Sequence, residues 1–168
     1  MSRDFPDWVN SEKAAIARRV FNGCVEVDRL PRLAGLTVAG EPGQFEFEVS
    51  FALDEQEQVL ATVQLNGEVA LQCQRTLKTF RQEIRSQSRV AIVANETEEA
   101  ALPEDYEVRI CADHRLELLD LIGEEALLAL PLVPVDPTSE PVSAEEKAKD
   151  THRPFEALAE LSKGSKSS

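Results

Sequence analysis

The chain has 168 residues and a formal net charge of −13, enough for one domain with a substantial core and too little for two. That charge works against diffuse attraction to phosphate, so a coat of RNA over the whole surface is excluded. Three widely separated cysteines, Cys24, Cys73 and Cys111, argue against a disulfide framework and for a reducing compartment. No apolar leader or bilayer-length run is present, so the expected location is the cytoplasm.

Aliphatic residues are plentiful, whereas Trp8 and Tyr106 are the only Trp and Tyr. The core should therefore be built from Val, Leu, Ile and Phe. In chain order, "SEKAAIARR" predicts a short helix from about Glu12 to Arg19 with Ser11 as its N-cap. "VFNGCVEVD" predicts a strand, and "RLPRLAGL" one helical turn closed near Gly35.

The strongest local signal is "QFEFEVSFALDEQ", where Phe45, Phe47, Val49, Phe51 and Leu53 alternate with Glu46, Glu48 and Ser50. Period two over this length is the mark of a half-buried antiparallel strand. The following segment puts Val59, Ala61, Val63, Leu65, Val69, Leu71 and Cys73 on one face. A two-residue turn at Asn66-Gly67 would pair Leu65 with Glu68, apolar against polar, so one long strand is expected, with Gly67 at a bend or bulge. Beyond "CQRT" the apolar positions become even, at Phe80, Ile84, Val90 and Ile92. A turn centred on Gln74-Arg75 explains that flip and would pair Val69 with Phe80, Leu65 with Ile84 and Val59 with Val90.

After an acidic connector, "YEVRIC" predicts a strand and "LLDLIGEEALLALP" a helix from Leu118 to Ala129, stopped by Pro131. Residues 132–150 read as an acidic, proline-rich linker. Residues 151–168 read as a short helical motif with an apolar stripe of Phe155, Leu158 and Leu161, followed by a disordered tail. The expected fold class is α+β. Residues 1–131 would form a twisted antiparallel meander with one long hairpin, open or closing part-way into a barrel, packed against a few short helices.

A zinc knuckle wants close pairs of Cys or His ligands; Thr76 stands where a second thiolate would fall, and His114 and His152 are isolated. No metal or other cofactor is expected, and Cys73 reads as a small buried side chain. No nucleophile, base and oxyanion set or phosphate-cradling loop is recognisable, and the Glu124-Glu125 pair reads as a solvated helix face. Charge, however, is uneven. Residues 94–150 hold 16 acidic and 4 basic side chains, whereas residues 73–89 hold Arg75, Lys78, Arg81, Arg85 and Arg89 against Glu83 alone. Arg81, Arg85 and Arg89 recur on one strand face about 13 Å apart. They either contact RNA phosphates or pair with the chain's own glutamates. The Phe155, Leu158, Leu161 motif likewise either closes on its own domain or enters a partner's groove.

"CQRTL", "ALPEDYE", "LLDLIGEEALLALPLVP" and the terminal "RPFEALAELSK" occur in an order that resembles the YceD family of large ribosomal RNA subunit accumulation proteins. The resemblance implies a cytoplasmic, non-enzymatic factor for 23S rRNA production or processing and large-subunit assembly. Its partners would be 23S rRNA or its precursor and ribosomal or rRNA-processing proteins, with neither a membrane nor a small-molecule substrate. Dedicated escort of one basic ribosomal protein, or an rRNA-processing enzyme with an unrecognised site, are the alternatives. Some members of that family carry the second knuckle cysteine and a later Cys pair. Neither is present here, so the resemblance implies no metal for this chain.

Overall fold

The computed structural model describes residues 5–103 and 106–140. One compact unit spans Met1–Pro137 and a second Thr138–Ser168; Phe155, Leu158 and Leu161 lie outside the described residues. Among the described residues, seven strands and three α-helices follow in order, with three short 3-10 turns between them: β1 (Trp8–Asn10), α1 (Ser11–Ile16), β2 (Val20–Glu26), β3 (Gln44–Leu53), β4 (Val59–Gln72), β5 (Thr79–Val93), α2 (Glu96–Glu99), β6 (Glu107–Ile110), β7 (Arg115–Glu117) and α3 (Leu118–Ala129).

Strands β2-β3-β4-β5-β6 form an open sheet, and β1 with β7 forms a separate two-stranded ribbon. The meander expected from the sequence is present through β5. The sheet is mixed rather than wholly antiparallel, because β6 runs parallel to β5, and it does not close into a barrel. No helix among the described residues is long and apolar enough to cross a membrane.

The alternation that predicted β3 also decides which face is buried. Phe45, Phe47, Val49 and Phe51 are almost wholly inaccessible, whereas Glu46 and Glu48 between them are exposed. Ala61, Val63, Leu65, Val69 and Leu71 of β4 continue that core, joined by Phe80, Ile84, Val90 and Ile92 of β5. Helix α3 covers them with Leu118, Leu121, Ile122 and Ala126, and its observed ends coincide with the predicted Leu118 and Ala129.

Strand β4 runs unbroken through Gly67, with no bulge: it pairs Gln44 with Glu68 and Phe45 with Gly67 in continuous register. Glycine is required there by proximity, since a Cβ would lie 2.2 Å from the Gln44 carbonyl oxygen and 2.6 Å from Phe45 Cδ1.

The β4–β5 hairpin exists, but its register differs from the expected one. Leu71 pairs with Phe80, Gly67 with Ile84 and Ala61 with Val90. This shift of two residues leaves every side chain on its expected face, because faces alternate with period two. Its cause is a longer turn. The Cys73 N–H donates to the Lys78 carbonyl at 2.9 Å, the Leu77 N–H donates to the Cys73 carbonyl at 2.8 Å, and Leu77 takes a left-handed φ of 60°.

Two further expectations change near the helices. Helix α1 is capped by Asn10, whose side chain accepts from the Lys13 N–H at 2.8 Å, while Ser11 is buried and donates to the His114 carbonyl at 3.2 Å. The helix also ends earlier than Arg19, because Arg18 adopts φ 49°. In α3, Glu125 is not on a solvated face. It is 4% exposed, on the same stripe as Leu118, Leu121 and Ile122, and its neighbour Glu124 pairs with Arg109.

Candidate nucleic-acid interface

Cys73 to Lys78 form the tip of the long hairpin, and the chain beyond α3 returns to clasp it. The Gln74 N–H donates to the Pro134 carbonyl at 2.9 Å, and Arg75 Nη2 to the Asp136 carbonyl at 3.2 Å. The Asp136 N–H points at Cys73 Sγ, 3.4 Å away. A segment read as linker thus belongs at this point to the hairpin tip. Pro134 and Pro137 favour the extended backbone that exposes carbonyls and N–H groups for such contacts.

The fully buried Cys73 thiol is drawn down to about 6. The Thr76 hydroxyl is the main cause, ahead of the opposing effect of burial, and the N–H groups of Asp136, Thr76 and Arg75 add to it. The buried Thr76 Oγ1 has no well-formed hydrogen bond. The residue in the place of a second thiolate thus lies beside the first and favours its ionised form, without a well-formed hydrogen bond to it. Cys73 is part of the clasp, and Arg75 is held by it.

The remaining arginines of the expected basic row do lie on the outer face of β5, at exposed positions. Two of them are already neutralised. Arg81 meets Glu68 at 3.4 Å and Glu41 at 3.6 Å and donates to the Pro42 carbonyl at 2.6 Å. Arg85 meets Glu83 at 2.5 Å. Arg89 acts on Asp54 through its charge. Burial works to raise that carboxyl, but N–H donors from Gln58 and Gln56, the Tyr106 hydroxyl at 2.9 Å and Arg89 together hold it below the usual range. Lys78, exposed at the tip, makes no ion pair among the described residues.

Across the same face the strands order the charges. Glu46 of β3 stands beside Asn66 of β4, which stands beside Arg85 of β5; in the next row Glu48, Gln64 and Gln87 follow each other. These residues, with Asn22, line a shallow concavity of about 480 Å³. Glu26, Glu46 and Glu48 have no ion pair among the described residues. The sheet face is therefore polar and on balance acidic, which suits a cationic polypeptide better than a run of phosphates.

On the opposite side, charges stitch α3 to its surroundings. Arg109 of β6, 18% exposed in its side chain, pairs with Asp120 and Glu124, and Asp120 also receives Arg32 Nε at 2.9 Å. The Arg32 hydrogen bond, against burial and with the charge of Arg109, holds the Asp120 carboxyl low. Burial pushes Glu125 up, and the nearby Glu107 and Glu124 charges add to this, while Ser88 and Arg109 oppose it. The Ser88 hydroxyl has no well-formed hydrogen bond, so it compensates Glu125 poorly.

Three exposed cations near the N-terminus, Lys13, Arg18 and Arg19, carry no ion pair among the described residues. They fall outside the cation-rich stretch 73–89, so a search for runs of charge passes over them. The adjacent Arg18-Arg19 at a helix end is the signal in the sequence that points to them.

A family model described as "Large ribosomal RNA subunit accumulation protein YceD" matches residues 61–162, a span that takes in most of β4, the hairpin tip, β5, β6 and α3. A Haemophilus influenzae protein of that same description is 30% identical over 144 residues, 84% of this chain and 82% of its own length. No solved structure matches.

Proposed function

The chain belongs to the YceD family, and on that premise we propose that it is a non-enzymatic ribosome-biogenesis factor. It supports 23S rRNA accumulation or processing, and through it large-subunit assembly, by local contact with rRNA in the cytoplasm. The observation that carries this reading is the family match across residues 61–162, which contains both the clasped tip with Arg75 and Lys78 and the helix that packs behind it. The shifted titratable groups support a non-catalytic role: Cys73 serves the clasp and Asp120 the charge network. Lys78 and Arg89 are the members of the basic row that would reach phosphate, since Arg81 and Arg85 are paired with glutamates and Arg75 is held in the clasp.

The test is removal of the gene with return of the full chain on a plasmid. The expected result is a fall in 23S relative to 16S rRNA and in free large subunits, restored by the wild-type chain. Unchanged 23S levels in the deletion would refute the proposal.

A second reading, escort of one basic ribosomal protein, is favoured by Glu26, Glu46 and Glu48 on the sheet face, which make no ion pair among the described residues. Stoichiometric retention of one basic protein after nuclease treatment of the purified complex would select it. Loss of every partner on nuclease treatment would select RNA contact.

A further inference from the structure

Strand β1, helix α1 and strand β2 enclose a groove of about 640 Å³ lined by Trp8, Asn10, Lys13, Ala14, Arg19 and Phe21, among others. Its composition is unusual for this acidic molecule: two cations line it and no carboxylate does. Asp7 and Glu12 are neighbours in sequence and Glu117 is the cross-strand partner of Trp8, but none of the three is among the lining residues.

Trp8 is 48% exposed. Its ring is held from one side by the Arg115 guanidinium, 4.7 Å from the ring centroid, a cation–π contact that fixes the indole without burying it. The floor is fixed as well, because Phe21 packs edge-on against the buried Phe51 at 5.9 Å. Arg18 turns the chain from α1 into β2 through left-handed backbone, where glycine is the usual occupant, and delivers Arg19 to the groove wall.

We propose that this groove binds single-stranded RNA, one unstacked base lying against Trp8 and the adjoining phosphates meeting Lys13 and Arg19. An exposed, pre-positioned indole beside unpaired cations supplies the two elements that hold single strands, a stacking face and backbone charge. A base paired within a duplex offers no free π-face to the indole. The inference rests on the ribosomal reading above and relocates its RNA contact from the neutralised arginines of β5 to the N-terminal groove.

Trp8 is the only tryptophan, so its fluorescence reports the site directly. The purified full-length chain is titrated with an unstructured oligouridylate at low and at physiological salt. The expected result is quenching of Trp8, with an affinity that falls on a log–log salt plot with a slope of about −1.4 for two phosphates. Charge reversal in K13E/R19E, at exposed positions, should abolish the quenching. With labelled oligonucleotide and anisotropy as readout, Trp8→Ala should weaken binding about 5- to 100-fold, while Arg81→Glu should leave it unchanged. Absence of quenching at low salt, unaltered binding by K13E/R19E, or equal affinity for polyphosphate or for duplex RNA overturns the groove. Those results leave the ribosomal reading standing, because it is judged separately by 23S levels in the deletion strain.

Discussion

Gly67→Ala tests the fit of β3 on β4. The added methyl would sit 2.2 Å from the Gln44 carbonyl oxygen and 2.9 Å from Phe45 Cα, both backbone atoms that no rotamer change can move. Ordinary contact needs about 3.4 Å or more, so the two strands must part locally by roughly 1 Å. Overpacking of this kind costs about 1–3 kcal/mol, and two weakened ladder hydrogen bonds add about 1 kcal/mol each. The expected loss is therefore about 3–5 kcal/mol, which for a unit of this size lowers the melting temperature by roughly 6–20 °C. Thermal unfolding followed by circular dichroism reads it. Gly35→Ala is the internal comparison: Gly35 has φ 80°, but no atom lies within 4 Å of the point where an alanine methyl would stand, so only conformational strain of about 1 kcal/mol is expected. A melting temperature for Gly67→Ala within about 2 °C of wild type would refute the close-approach argument and restore a bulge at this position.

Glu125→Gln should stabilise the protein at pH 8 and do little near pH 4. The folded carboxyl is raised, so its stabilising contribution is present below the unfolded value of about 4.3 and is lost as pH rises through the folded value; denaturant melts across that range check it. The Cys73 thiol, lowered to about 6, contributes stability above the unfolded value of about 8.5 that is lost as pH falls through 6. Thiolate absorbance near 240 nm should accordingly titrate near pH 6 in the wild type, and the step should vanish in Cys73→Ser. Arg109→Ala leaves Asp120 and Glu124 without their shared partner and should cost about 1–3 kcal/mol in chemical denaturation, less than a fully buried pair because both carboxylates are partly exposed.

Where one face meets the core and the other water, the residue pattern alone located the structure. The alternation from Phe45 to Leu53 gave β3 its extent, and the flip from odd to even apolar positions located the hairpin. The register remained out of reach, since parity is the same for a shift of two residues. That shift was decided by the left-handed Leu77 and by hydrogen bonds inside the turn, which no pattern of hydrophobicity encodes. Glu125 was legible by position, at i, i+3, i+4 and i+7 with Leu118, Leu121 and Ile122, and was misread by residue type. The parallel direction of β6 and the return of Pro134 and Asp136 to the tip depend on tertiary contacts far apart in the chain.

The arginine row is visible in the sequence and lies on the outer face, but its charges are largely spent on neighbouring glutamates. Pairing between near neighbours in space, such as Arg81 with Glu41 across forty residues, is invisible to a count of charge along the chain. Besides Lys78 at the tip, cations without an ion pair among the described residues lie at Lys13, Arg18 and Arg19, outside the basic stretch.

Strand β6 pairs only with Val90 to Val93 of β5. From Thr79 to Arg89, β5 therefore presents an edge with no strand alongside it among the described residues, a template on which another chain's strand could add itself. Arg81, Arg85 and Arg89 project along that edge at every fourth residue, and charged side chains so placed oppose strand addition. Even with their charges balanced by glutamates, they carry bulk and hydration that a docking strand would have to displace. The row that first suggested RNA thus has a second consequence, protection of a long β-edge from self-association.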